Sequence, residues 1–292
     1  MPYIIASDFE RLIQSEQLSE LTNDNTVLLG QKISWAEAQV KSYLKQRYDL
    51  TKEFRPLRIW NPLVEYLAGE RVYLSASAFS EDVDYLTNDL VDVDGIIYLF
   101  NDDIPAGVFD ADNCTLIGEA GTIFYGKLPA PEFSSITIYE KDGQVFYEDK
   151  VYPALHGSDI VTQQQMLNAQ RIENVVKDNP LPGTTAGQSM WGDGEEYFIE
   201  AGTLPTDTDY WVDGDNRDQV IMEAVISFVI YGLCSRIAPN NVPTVHKDNY
   251  THAMATIKDI ALGNIGTELP LLQPVRNTPI SYGGEVKQIN SW

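Results

Sequence analysis

The chain has 292 residues, 43% hydrophobic and 11% aromatic, which is enough apolar surface to close a core and too much for a disordered chain. Forty-three acidic residues against twenty basic ones give a formal net charge of −23, so the surface as a whole is excluded from binding phosphate backbones or anionic lipid. Two cysteines, Cys114 and Cys234, make no disulfide framework and fit a reducing compartment.

The opening residues, MPYIIASDFERL, carry no basic cluster and no long apolar run, so no signal peptide is expected. Ser7 or Asp8 is placed to cap a first helix reaching about Leu18, with Glu10 in its first turn. After the turn-like TNDN at 22–25, residues 29–48 predict a second helix. There Ile33, Ala36, Val40, Tyr43 and Leu44 recur at helical spacing, and Lys41, Lys45 and Gln46 keep the other face wet.

From about Pro56 short β-rich runs take over, at 71–74, 96–100, 122–125, 136–140 and 145–147, broken by Gly, Pro, Asn and Asp. In ITIYEKDGQVFYED, Asp142-Gly143 between two alternating runs predicts a tight hairpin. A short helix is expected at 163–177, then a loop, NPLPGTTAGQS. Asp215 or Asn216 should cap a long helix over 217–237, ended by Pro239; it is apolar nearly all round, with only Glu223, Ser227 and Ser235 lining up at four-residue spacing, which marks a helix packed on most sides. Its most apolar stretch, 220–234, is too short to span a bilayer, so no membrane contact is expected. A last helix, 247–262, stops at Gly263, and the proline-containing tail should be extended.

These elements predict an α+β chain: a helical bundle core formed by residues 1–57 and 216–270, a large inserted β-rich domain over 58–215, and an extended C-terminal tail over 271–292. Neither helical end can bury its apolar faces alone, and packing the two together is the simple solution.

Chemistry is sparse. No HExxH, CxxC, GxSxG, Walker loop or GxGxxG occurs, and His156, His246 and His252 show no ligand spacing. Three acidic clusters, Asp92-Asp94, Asp110-Asp112 and Asp213-Asp215-Asp218, resemble fragments of a calcium loop, yet none places glycine at position six and glutamate at twelve; turn and cap chemistry explains them more simply. No catalytic residue, metal site or cofactor is expected.

Two resemblances remain. Trp60-Asn-Pro before Tyr66-x-x-Gly-Glu-Arg-Val-Tyr73, and Tyr139-x-x-Asp-Gly-Gln-Val-Phe-Tyr147 leading to Tyr152, each follow a tyrosine, a turn and an aromatic strand. This resembles the small β modules of chitinase carbohydrate-binding domains, where exposed aromatics stack on sugar rings; the plainer alternative is a tiny aromatic core around each hairpin. The chain ends carry the second. Leu233-Cys-Ser-Arg236-Ile-Ala-Pro239-Asn-Asn-Val-Pro243, Asn249-Tyr250-x-x-Ala253 and Gly263-Asn-Ile-x-x-x-Leu269-Pro270, with Tyr3-Ile near the start and Tyr43-Leu-x-x-Arg47-Tyr48-Asp49-Leu50, resemble head-tail connector (head-completion, Mu-type adaptor) proteins of tailed phages. Asn240 stands where that family's pattern has a second arginine, and the β region is an addition to it.

The resemblance implies a non-enzymatic virion protein, made in the host cytoplasm and forming a homo-oligomeric ring, a dodecamer matched to the portal. It also implies further tail or ring proteins as partners and a DNA channel without sequence-specific contacts. Arg236, Pro239, Pro243, Tyr250, Leu269 and Pro270 would then serve portal or neighbour contacts, with Tyr282 and Trp292 as aromatic anchors in the tail. A carbohydrate- or receptor-binding tail or baseplate protein is the alternative.

Overall fold

A computed structural model describes residues 2–134, 137–158, 179–267 and 269–272; the helix expected at 163–177 and the tail beyond Leu272, with Tyr282 and Trp292, lie outside the described residues. The chain is mixed α+β, with helices near both ends and several small sheets between them.

The first helix differs from expectation. A 3₁₀ turn at Ala6–Arg11 stops short, and a separate helix, α1, spans Ser15–Thr22. Asp8 is the N-cap of neither: from the third position of the 3₁₀ turn its carboxylate accepts from the N-cap amide, Ile5 N, at 2.7 Å, and it is otherwise taken by Arg217. Helix α2, Thr26–Leu44, begins three residues earlier than its apolar pattern because Asn25 accepts from Leu28 N at 2.9 Å and so satisfies one of the free amides of the first turn.

Helix α3, Gln219–Ile237, is capped by Asp218, which accepts from the amides of Val220 and Ile221; Arg217 stays outside the helix because its side chain turns inward. This helix is longer than the apolar run suggests. It is long and apolar enough to span a membrane by length and composition, but two-thirds of its most apolar stretch is buried within the protein. Helix α4, Thr244–Leu262, starts after Pro243 and ends at Gly263, whose φ of +79° is the left-handed conformation that closes a helix C-terminus.

Helices α2, α3 and α4 pack pairwise. One apolar cluster runs from Tyr3, Ile4 and Phe9 through Ile33, Val40, Leu44 and Phe54 to Val225, Phe228, Val229, Leu233, Ile257 and Leu269. The chain is fastened beyond α4 as well: Asp49 N donates to Pro270 O at 2.8 Å, and Leu272 N to Arg47 O at 2.8 Å. Thus residues up to 272 lie against the loop after α2 rather than running free from 271.

Between the helices lie thirteen described strands. A four-stranded sheet has the order β1 (Leu57–Ile59), β3 (Arg71–Tyr73), β8 (Ile123–Gly126), β13 (Trp211–Asp213), with β1 and β3 parallel. A second contains β4 (Ser77–Ala78), β5 (Leu90–Val93), β6 (Ile96–Phe100) and β7 (Cys114–Glu119). A third joins β9 (Gln144–Tyr147), β10 (Lys150–Pro153) and β11 (Glu195–Glu196), and β2 (Tyr66–Leu67) pairs with β12 (Phe198–Ile199). Residues 137–140 are not a strand.

The hairpin placed at Asp142-Gly143 is elsewhere. Strands β9 and β10 turn at Glu148-Asp149, with Tyr147 paired to Lys150 and φ angles of +48° and +61° at the two turn residues. Among the described residues an Asp-Gly hairpin forms instead at Asp94-Gly95, between Val93 and Ile96, with φ of +54° and +84°. Both have the positive φ pair of a type I′ turn, whose twist matches the flanking strands.

Candidate functional site

The β region is built on one small motif used three times. In each copy an aromatic residue (Trp60, Phe79, Phe133) precedes a polar residue whose backbone amide donates to the hydroxyl of a tyrosine five positions on: Asn61 to Tyr66 at 2.7 Å, Ser80 to Tyr85 at 2.8 Å, Ser134 to Tyr139 at 2.7 Å. Three residues after the tyrosine the backbone enters the left-handed region, at Gly69, Asn88 and Asp142. Six after it a valine is buried, Val72, Val91 and Val145. In the second and third copies the type I′ turn follows at the same spacing.

The sequence shows the first and third copies; the second is hidden because its turn reads Thr-Asn-Asp where the others have Ala-Gly-Glu and Lys-Asp-Gly. Only the tertiary position of Tyr85 and Val91 reveals it. Asp142, read as half of a hairpin turn, is the left-handed residue of the third copy.

This motif decides where the candidate aromatics lie. Trp60 and Tyr66 are 1% and 2% exposed and share a core with Trp211, whose ring meets Tyr66 edge-on at 5.4 Å. Tyr139 and Tyr152 are buried with Trp191 in another. Tyr73 and Tyr147 are half-buried. The rings that would stack on sugar are largely packed within the protein. What the third copy does offer is an open cleft of about 750 Å³, walled by Lys150, Tyr152, Gln188, Trp191 and Asp193.

At the start of α3 the helical and β segments are joined by buried charge. Arg217, wholly buried, forks onto Asp8 with two bonds of 2.8 Å, reaches Asp215 at 2.8 and 2.9 Å, and donates to Tyr3 O. Burial alone would raise the pKa of Asp215, but the hydrogen bonds and charge of Arg217 outweigh it and hold that carboxyl below its ordinary range. Beside it, Glu53 accepts from Tyr3 and from Asp218 N and pairs with Arg71 at 3.4 Å, while Arg71 also donates to Asn216. Burial and the adjoining Glu53 charge push the Tyr3 hydroxyl strongly upward, so it remains a donor.

The residues nominated for neighbour contacts divide. Arg236, Pro239 and Pro243 are exposed around the α3–α4 turn, together with Ile237 and Val245, which are 56% and 58% exposed. Tyr250 lies within the α3–α4 seam, stacked on Tyr231 at 4.3 Å. Leu269 is buried in the chain's own core, and Pro270 is exposed but anchored through its carbonyl. Ile237 and Val245 went unnoticed in the sequence because single apolar residues at helix ends carry no periodicity.

Among the described residues no three His, Cys, Asp or Glu side chains stand together as a metal site. The acids of the supposed calcium fragments do turn work: Asp92 accepts from Gly95 N, Asp110 from Asp112 N, and Asp218 caps α3. No protein-family model matches the chain, and no curated protein matches it. The charge is distributed unevenly. Residues 58–215 hold twenty-nine acidic and seven basic residues, a net of −22, leaving −1 for the rest of the chain.

Proposed function

We propose that this protein is a structural, non-enzymatic subunit of a tailed-phage head-tail connector, in which both chain ends form a helical bundle core, residues 58–215 are an inserted β domain, and the tail is extended. Copies assemble as a ring, a dodecamer matched to the portal, at the head-tail interface of the virion. Further tail or ring proteins bind it, and DNA passes through the channel without sequence-specific contact.

The observation that carries this reading is the α3–α4 turn. Arg236, Ile237, Pro239, Pro243 and Val245 form an exposed, part-apolar, cationic tip on a near-neutral helical unit, in a protein whose remaining charge is strongly acidic. A ring needs a heterologous interface, one face of each subunit meeting a different face of the next, and an apolar tip on a rigid helix pair suits such a contact. The acidic β region suits a wall along which DNA slides without sticking. The motifs that resemble connector proteins fall on these same helices.

The test is electron microscopy and mass measurement of the purified protein, alone and with a portal. Rings that are lost in Ile237→Asp/Val245→Asp, with the helical content unchanged, support the reading; a monomer under both conditions overturns it.

A second reading, a carbohydrate- or receptor-binding tail or baseplate protein, draws on the threefold motif and the cleft beside Tyr152 and Trp191. It requires glycan binding that falls when Gln188 and Asp193 are changed to Ala. Substituting Trp60 or Tyr66 would not test it, because both rings hold a core.

A further inference from the structure

Between the loop after α2 and the β3–β8 strands lies a cavity of about 190 Å³. Four cations line it: Lys52 and Arg55 from the loop, Arg71 from β3 and Lys127 directly after β8. Four of the chain's twenty basic residues thus converge on one cavity, although between Arg71 and Lys127 the sequence has eleven acidic residues and no Lys, Arg or His at all. One carboxylate, Glu132, stands in the wall.

The cations are not equally engaged. Arg71 is held by Asn216 at 2.5 Å, by the Glu53 carbonyl at 2.7 Å and by the Glu53 carboxylate at 3.4 Å, so it offers no free donors and its charge is matched. Arg55 reaches Ala68 O at 2.7 Å and Asp149 at 2.9 Å, and Lys52 pairs with Glu132. Lys127 has only the Thr208 carbonyl at 3.4 Å and, among the described residues, no carboxylate partner. Glu53, Asp149 and Glu132 match three of these charges, and the charge of Lys127 is the one left for an entering anion, with Arg55 and Lys52 beside it. The rest of the wall includes Leu128 and Phe146, so a bare hydrated ion would leave apolar surface uncovered. At the left-handed position of the tyrosine motif this copy has Gly69, where the other two have Asn88 and Asp142; the missing side chain leaves the cavity open beside Arg55, whose Nη1 would lie 3.5 Å from an added Cβ.

We propose that this cavity binds a small organic anion, a carboxylate or phosphate monoester with a compact apolar body, its charged head on Lys127, Arg55 and Lys52 and its apolar part against Leu128 and Phe146. The volume, about six waters' worth at roughly 30 Å³ each, suits a ligand of benzoate size. The unmatched charge of Lys127 would attract an anion to this cavity within an otherwise acidic region.

Titration calorimetry of the full chain with benzoate, phenyl phosphate and benzamide tests it. Either anion should bind, the tighter one identifying the head group, and neutral benzamide should bind at least about tenfold more weakly, the size of one lost charge-assisted hydrogen bond. Lys127→Gln should weaken the anion about tenfold, while Lys150→Gln, at the separate cleft by Tyr152, should not. Lys127→Gln removes no strong internal contact, and its circular dichroism checks that it folds; Lys52→Gln is a second route to the same loss. Absence of heat with both anions at millimolar concentration, equal binding of benzamide, or full affinity in both Lys variants overturns the proposal.

Discussion

The helical ends and the β region solve the same problem by opposite means. The helices bury one continuous apolar cluster reaching from Tyr3 to Leu269, and they are almost neutral. The β region has several small cores, each around a tyrosine and a tryptophan or phenylalanine, and it carries nearly all of the protein's net charge. A large core tolerates a plain surface because burial supplies the stability. Small cores need supplementary order, here the repeated bond from a backbone amide to a tyrosine hydroxyl and the left-handed turn residue. The difference teaches that acidity is concentrated where the backbone is governed by turns: Asp84, Asp89, Asp92, Asp103 and Asp110 each accept from a nearby loop or turn amide.

Four sets of substitutions sharpen or break this contrast. The largest effect belongs to the charge that ties the two regions. Arg217→Ala strands Asp8 in a buried site and should cost about 3–5 kcal/mol in urea unfolding, lowering both regions together. If only the helical signal is lost, the node does not couple them.

Phe228→Ala opens a cavity in the common core and should cost a similar or slightly smaller amount, about 3–4 kcal/mol. With Trp35 and Trp292 replaced by Phe, the remaining Trp60, Trp191 and Trp211, all in the β region, provide the fluorescence that tells whether that region melts with the helices.

The pH dependence follows from Asp215. Its folded pKa is depressed, so its contribution is fully present above the ordinary carboxylate range, near 3.8, and is lost as pH falls from there through the lower folded value. Asp215→Asn should lower stability at neutral pH and flatten the loss between pH 4 and acid unfolding, as read by circular dichroism. An unchanged acid profile would remove the Arg217–Asp215 pairing from the account.

The smallest effects test the repeat. Tyr66→Phe, Tyr85→Phe and Tyr139→Phe each delete the acceptor of one backbone amide, and at Tyr66 and Tyr85 also a longer bond donated to the carbonyl of the same residue; each should cost about 1 kcal/mol. Equal costs support one motif used three times, and a cost at one position alone would reduce the likeness to coincidence. At the left-handed position Asn88→Gly should be within about 0.5 kcal/mol of neutral, whereas Asn88→Val should cost about 1–2 kcal/mol.

Much of this molecule was legible in the residues. The α2, α3 and α4 segments announce themselves by periodicity, Gly263 by its place after an apolar run, and the α+β class by the change of texture near Pro56. Helix starts were less legible, since Asn25 and Asp218 each compete with equally good caps nearby, and the choice of Asp218 over Asp215 depends on Arg217 turning toward Asp8, 209 residues away in the chain. The exposed tip at Ile237 and Val245 had no signal to find, and the cationic cavity had none either, because its four members are scattered over some seventy-five residues.

By itself the sequence determined the secondary-structure texture, the acidity and the absence of familiar catalytic motifs, because these depend on neighbours in the chain and on composition. The tertiary structure alone decided which tyrosines are core, which of the Asp-Gly pairs makes a hairpin, and which lysines and arginines meet. Those outcomes depend on long-range pairing, where a residue's partner is chosen by packing and not by distance along the chain.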